Sequence, residues 1–171
     1  MATYTLLENS NPLLALKLRQ VSANVDREEL TTDLVDTMRA LKGIGLSASQ
    51  VGVMERVFVM YSDVKKKEII ACFNPKIITE SDEEVFMDEG CLTYPGLWLK
   101  VKRPDGIEVT YEDENGEKQE KAMFGLEGRI FQHEYDHMIG TNFTKKVSKL
   151  RLDMARKRQK KQAKKSILSR T

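Results

Sequence analysis

The only two histidines of the chain, His133 and His137, stand four residues apart in the run His133-Glu134-Tyr135-Asp136-His137. That spacing acquires meaning on a helix, where residues i and i+4 lie about 5–6 Å apart on one face. Two imidazoles so placed can reach one metal ion, and the intervening Glu134 points close to the same spot. The segment therefore calls for a helix with one face given over to chemistry. The flanks agree: helical apolar spacing runs from about Leu126 through His137, and Gly140 offers a stop. In that setting Glu134 is placed to act as general base toward a metal-polarised water. The bland alternative is a helix with two surface histidines and a chance glutamate.

Two histidines do not complete such a site, because catalytic zinc-type centres use three protein ligands and a water. In the frame HExxHxxGxxH of one large protease group a third histidine follows, but here Phe143 occupies that position. Cys91 is the best remaining candidate. It lies in Glu89-Gly90-Cys91-Leu92-Thr93-Tyr94-Pro95-Gly96, a Gly- and Pro-punctuated segment between predicted strands, and a metal-bound thiol is deprotonated outright. The competing description is a small buried hydrophobe, and it suits Cys72, which sits mid-strand among isoleucine and phenylalanine. A third segment, Gly43-Ile44-Gly45-Leu46-Ser47-Ala48-Ser49-Gln50, has small residues that admit another backbone closely. Its Gln50 offers both a donor and an acceptor.

The rest of the chain predicts an α+β fold: mixed, mostly antiparallel sheets packed around a central metal-binding helix, with a C-terminal helix. An irregular arm of about 20 residues leads to a helix capped by Asp26, with Glu29 as return partner and Gly43 as its end. Val57–Met60, Ile69–Phe73, Leu97–Val101, Ile107–Tyr111 and Gln119–Met123 read as strands. Asn115-Gly116 marks a hairpin turn. A last helix is expected over about Ser148–Ser166. With 171 residues the chain suits one domain of ordinary size, divided here into a catalytic part, 1–147, and a basic helical tail, 148–171.

The three chemical segments together resemble the peptide deformylase family, whose signatures are GxGLAAxQ, EGCLS and QHExDHLxG. This chain has GIGLSASQ at 43–50, EGCLT at 89–93 and QHEYDHMIG at 132–140, in that order. Ser47 replaces an alanine of the pattern, Thr93 a serine and Met138 a leucine; none of these removes a ligand. The resemblance implies removal of the N-formyl group from the N-terminal methionine of new polypeptides, with release of formate. It implies that Cys91, His133 and His137 hold one divalent metal ion, and that Glu134 moves protons. The oxyanion donors would be the Gln50 side-chain amide and the Leu92 backbone N–H. Ile44, Leu126 and the aliphatic stem of Arg129, with His133, would line the methionine pocket. Gly43, Gly45, Glu89, Gly90 and Gly96 would border the peptide groove. A thiolate and two imidazoles suit zinc, iron, cobalt or nickel; in this family the physiological ion is usually Fe(II), with Zn, Ni or Co in purified samples.

Charge is divided unevenly. Residues 145–171 hold 12 Lys/Arg and one acid, leaving the body with a balance of −9. That split points to an anionic partner for the tail. Some bacterial deformylases dock on the ribosome through a basic C-terminal helix, so ribosomal RNA is the expected partner, with Leu150, Met154 and Ile167 as anchors to the body. No DNA partner is expected. No apolar run nears the roughly 20 residues of a membrane span. The start MATYTLLENS lacks the basic and apolar regions of a secretory signal, so the cytoplasm is the expected compartment. Two other functions compete: an HExxH metallopeptidase, against which the EGCLT cysteine and missing third histidine argue, and an RNA-binding adaptor, against which the full ligand set argues.

Overall fold

Alternation along Val57-Phe58-Val59-Met60 sets the layers of the molecule. Successive side chains of a strand point to opposite faces, and all four of these are buried, so the strand needs cover on both sides. The computed structural model, which describes residues 3–169, provides it. Val57 and Val59 pack with Leu30, Leu34 and Met38 of helix α1 (Arg27–Ala40). Phe58 and Met60 pack with Ile130, Phe131 and Met138 of helix α2 (Gly125–Met138).

The sheet between the helices is antiparallel throughout. Its strands are β1 (Gly45–Ser47), β2 (Val57–Asp63), β3 (Glu68–Glu80), β6 (Gly106–Glu112) and β7 (Lys118–Phe124), in the order β1-β2-β3-β6-β7. A separate antiparallel ribbon joins β4 (Glu84–Cys91) to β5 (Tyr94–Pro104). Along β5 the buried positions are Leu97, Leu99, Val101 and Arg103, one face of a period-two strand. The apolar three form a smaller core with Phe143 and with Ala155 of helix α3 (Lys149–Leu168). Gly116 makes the β6–β7 turn at φ 79°, as Asn115-Gly116 predicts.

Helix α2 lies between the main sheet and the ribbon. Every residue from Gly128 to Met138 except Tyr135 is buried, which a helix tolerates only if its polar side chains find partners. They find them on the ribbon: Gln132 Nε2 donates to the Pro104 carbonyl at 3.0 Å, and the Arg129 guanidinium donates to the carbonyls of Val101 and Val85. The apolar face thus fixes α2 to one sheet and the polar face to the other.

Several expectations are corrected. Helix α1 is capped by Asp26, whose side chain accepts from the Glu29 amide, but it ends at Ala40. Lys42, not Gly43, takes the left-handed turn at φ 57°. Gly43 is small for another reason, since a Cβ there would stand 2.6 Å from Leu92 Cδ1. The strands β1 and β4 are absent from the sequence reading. The tail helix α3 is held by Leu152 and Ala155, while Leu150, Met154 and Ile167 are exposed; the apolar pattern alone marked the wrong side of it. Among the described residues, no helix is long and apolar enough to cross a membrane.

If burial of the Phe131 ring against Phe58, at 5.1 Å between centroids, fixes α2 to the sheet, Phe131→Ala should cost about 3–5 kcal/mol of unfolding free energy. Urea denaturation checks this. A loss under about 1 kcal/mol would show that the ribbon contacts alone hold the helix.

Candidate metal and peptide site

Helix α2 and the end of β4 meet where the chemistry gathers. Helical spacing puts His133 and His137 on the face turned to the ribbon, and the tight Leu92-Thr93 turn delivers Cys91 to the same place. The candidate ligand atoms of Cys91, His133 and His137 all lie within 4.8 Å of one another. Cys91 Sγ is 3.6 Å from His137 Nε2. His133 Nδ1 faces Glu89 Oε1 at 2.9 Å, which orients the ring and leaves Nε2 to face the cluster, an arrangement typical of ligating histidines.

Glu89 is held in turn. Its carboxylate accepts from Arg103 Nε at 2.7 Å and Nη2 at 2.9 Å, and from Arg129 Nη1 at 2.9 Å; Arg103 Nη1 donates to Asp136 Oδ2 at 2.9 Å. Burial by itself would raise the Glu89 carboxyl, but the hydrogen bonds from His133 and Arg103 prevail and hold it well below the usual carboxylate range. Arg103 and Asp136 escaped the sequence reading, although an arginine at an inward position of β5, in step with Leu97, Leu99 and Val101, is a readable sign of a buried ion pair.

The two imidazoles are pushed in opposite directions. Burial opposes the charge on His133, yet contacts with Cys91 and Glu89 push its pKa up to about 10. His137 is pushed down to about 3 by burial and by the charges on His133 and Arg103. With the three ligand atoms this close, thiolate and imidazole form a donor set that suits a divalent zinc, iron, cobalt or nickel ion.

Glu134 stands beside this cluster on α2. Ser47 Oγ donates to its Oε2 at 2.8 Å and contacts its backbone carbonyl at 3.2 Å. Burial raises the Glu134 carboxyl, against the pull of His133 and the Ser47 hydroxyl. Gly45 leaves the room: a Cβ there would sit 2.5 Å from Glu134 Oε1. Gln50 Oε1 accepts from the Ser47 amide at 2.9 Å, while Nε2 donates to Thr93 Oγ1 at 2.9 Å and faces Cys91 Sγ at 3.4 Å. The hydroxyl of Thr93 therefore anchors the Gln50 amide.

These groups open into a cavity of about 350 Å³, within the range of small-ligand pockets. Gly43, Ile44 and Gly45 line it, as do the residues from Glu89 to Leu92 and Pro95 and Gly96. Leu126, Arg129, His133, Glu134 and Gln50 line it too, whereas His137 does not. Ile44 and Leu126 are exposed, so they are lining residues and not core. Arg129 lines the cavity too, but its guanidinium is engaged with Glu89 and the ribbon carbonyls. Sequence reasoning missed Lys42, Asp88, Tyr94, Pro95, Trp98 and Ile130 on the lining. At the rim, Gln159 of α3 donates to the Pro95 carbonyl at 2.8 Å.

Comparison with known proteins points one way. Residues 3–153 match the family described as polypeptide deformylase. The peptide deformylase of Rhizobium meliloti (strain 1021) is 39% identical over 165 residues, covering 90% of this chain and 94% of that one. That of Natranaerobius thermophilus is 40% identical over 146 residues, covering 84% and 91%. Among solved structures, a peptide deformylase from Legionella pneumophila superposes with a TM-score of 0.85 at 33% identity, covering 99% of both chains. One from Synechococcus elongatus, in complex with actinonin, gives 0.83 at 34%, covering 91% and 85%. A shared fold, shared length and three signature segments converging on one cluster leave a single assignment: the chain belongs to the polypeptide deformylase family.

Proposed function

We infer that this chain is a metal-dependent hydrolase that removes the N-formyl group from the N-terminal methionine of newly synthesised polypeptides. The observation that carries the reading is the convergence of Cys91, His133 and His137 to within 4.8 Å, with the Glu134 carboxylate opening into the same cavity. One divalent ion held by those three residues, Fe(II) as the native choice, would supply Lewis-acid polarisation of a water and of the formyl oxygen.

The chain's own groups do the rest. Glu134 accepts a proton from the attacking water and delivers it to the amine that leaves. Ser47 and Gly45 decide where that carboxylate can stand: one donates to it, the other makes space. As the formyl carbon becomes tetrahedral, its oxygen takes up negative charge. The Gln50 amide and the Leu92 backbone N–H are the donors that meet it. One Gln50 hydrogen is committed to Thr93; the other, facing Cys91 Sγ at the longer distance of 3.4 Å, is available for redirection. A donor of this kind contributes about 2.7–4 kcal/mol to lowering the barrier. The formyl group is small, so the methionine side chain, against Ile44, Leu126, the Arg129 stem and His133, provides binding energy remote from the reacting bond. Gly43, Gly45, Glu89, Gly90 and Gly96 border the groove for the peptide backbone.

For α3 we propose docking on ribosomal RNA. Arg156, Lys157, Arg158, Lys160, Lys161, Lys164 and Lys165 crowd one stretch of α3, whose sequence holds a single acid, Asp153. Docking beside emerging chains would raise the local substrate concentration.

Formate release from formyl-Met-Ala-Ser, with an unformylated peptide cleaved not at all, is the direct test of activity. Glu134→Ala should retain the metal and lose turnover by a factor of about 10² or more; a variant keeping over about a tenth of kcat would reassign the base. Cys91→Ser should weaken metal retention sharply, whereas Cys72→Ser should leave metal content unchanged, both read by elemental analysis. Full metal occupancy in Cys91→Ser would remove Cys91 from the ligand set. Replacing Lys160, Lys161, Lys164 and Lys165 by glutamine preserves helix propensity. It should abolish salt-sensitive co-sedimentation with ribosomes while tripeptide turnover stays within about twofold; undiminished co-sedimentation at low salt would leave α3 a solvated helix.

A further inference from the structure

We propose that Trp98 is a specificity-determining residue of the peptide groove, its indole receiving a large apolar or aromatic side chain from the two residues that follow methionine. The proposal rests on the deformylase reading for its substrate class, and on the geometry around Gly90 for its content.

Trp98 is the only tryptophan in the chain. It stands on β5 between Leu97 and Leu99, which are 2% and 3% exposed, yet it is itself 62% exposed. Alternation turns it out of the ribbon core, and it lines the same cavity as Cys91, His133 and Glu134. A Cβ at Gly90 would meet the indole atoms Cη2, Cζ3 and Cε3 at 3.0, 3.0 and 3.2 Å. Three consecutive ring atoms at nearly equal distance mean that the ring lies flat over Gly90, not edge-on. The missing side chain of Gly90 is what allows this approach. One face of the indole is thereby covered by backbone, and the other is presented outward.

The neighbouring exposed aromatic of the ribbon is treated differently. Phe86 is covered by Lys102 and Arg151, at 5.9 and 5.7 Å from its ring centroid. Among the described residues no cation and no second ring stacks on Trp98. A rigid, flat apolar surface held open to water at the rim of a substrate cavity is costly to leave bare and gains from stacking. Lys42, Gly43, Ile44 and Gly45 line the same cavity. An extended peptide in it advances about 3.3 Å per residue, so residues just beyond methionine reach the rim.

The test uses the full-length metal-loaded enzyme and formyl-Met-Ala-Ser, formyl-Met-Phe-Ser and formyl-Met-Ala-Phe. Wild type should show a KM several-fold lower for at least one aromatic peptide, with kcat little changed. Trp98→Ala should raise KM for that peptide about 5–10-fold more than for formyl-Met-Ala-Ser, and Trp98→Phe should restore most of the difference, as stacking on a remaining ring would. Because the chain has no other tryptophan, its emission reports the same contact without catalysis: the product peptide carrying phenylalanine at the favoured position should shift it, and Met-Ala-Ser should not. Formate release with equal aromatic preference in wild type and Trp98→Ala overturns the proposal. An emission shift without formate release from any peptide overturns the deformylase reading and leaves the Trp98 contact standing; absence of both removes both.

Discussion

The carboxylate of Glu89 joins the parts that make this site. It is buried on β4 and receives hydrogen bonds from Arg103 on β5 and from Arg129 and His133 on α2. Stripping water from the carboxylate and the two guanidinium groups is expensive, and only the full set of hydrogen bonds offsets it. The outcome is less a gain in stability than a fixed geometry: the ribbon, the helix and the imidazole of His133 cannot move independently. Asp136 completes the set by taking the remaining side of Arg103. Loss of Glu89 would remove the carboxylate that pairs with the buried Arg129 guanidinium.

This arrangement explains why a two-stranded ribbon can carry a candidate metal ligand. Two strands alone are marginal in water. Here β4 and β5 are fixed from behind by Leu97, Leu99, Val101, Phe143 and Ala155, and from the side by the ion network. Cys91 therefore reaches the histidines from a rigid support, as a preorganised site requires. Ser47 gives the same service to Glu134 from β1. The candidate ligands come from one helix and one ribbon, and the candidate base is steadied by a third element, so the cluster exists only when all three are assembled.

What the sequence disclosed followed from physical periodicity. The histidine pair was legible because one helical spacing serves both packing and ligation. The strands β2, β3, β5 and β6 were legible because their apolar runs are bounded by turns and charge, and β7 because the Asn115-Gly116 turn precedes it. The strand β4 was not: Glu84, Asp88 and Glu89 interrupt it, since one face meets water and the other buries an ion pair in place of a hydrophobe. The strand β1 is three residues long and lies within a glycine-rich segment whose small residues serve close approach. In α3, Leu150, Met154 and Ile167 looked like anchors because they are apolar, but the contact surface is set by Leu152, Ala155 and Gln159. The left-handed turn after α1 fell on Lys42 since the adjacent glycine was already needed beneath Leu92.

The hydrogen bond from Gln159 to the Pro95 carbonyl has a thermodynamic corollary. Helix α3 touches the lip of the groove at one point and carries its cationic stretch on the same rod. If a peptide in the groove shifted Pro95, and with it Gln159, a ligand bound along α3 and that peptide would change each other's affinity by one common factor.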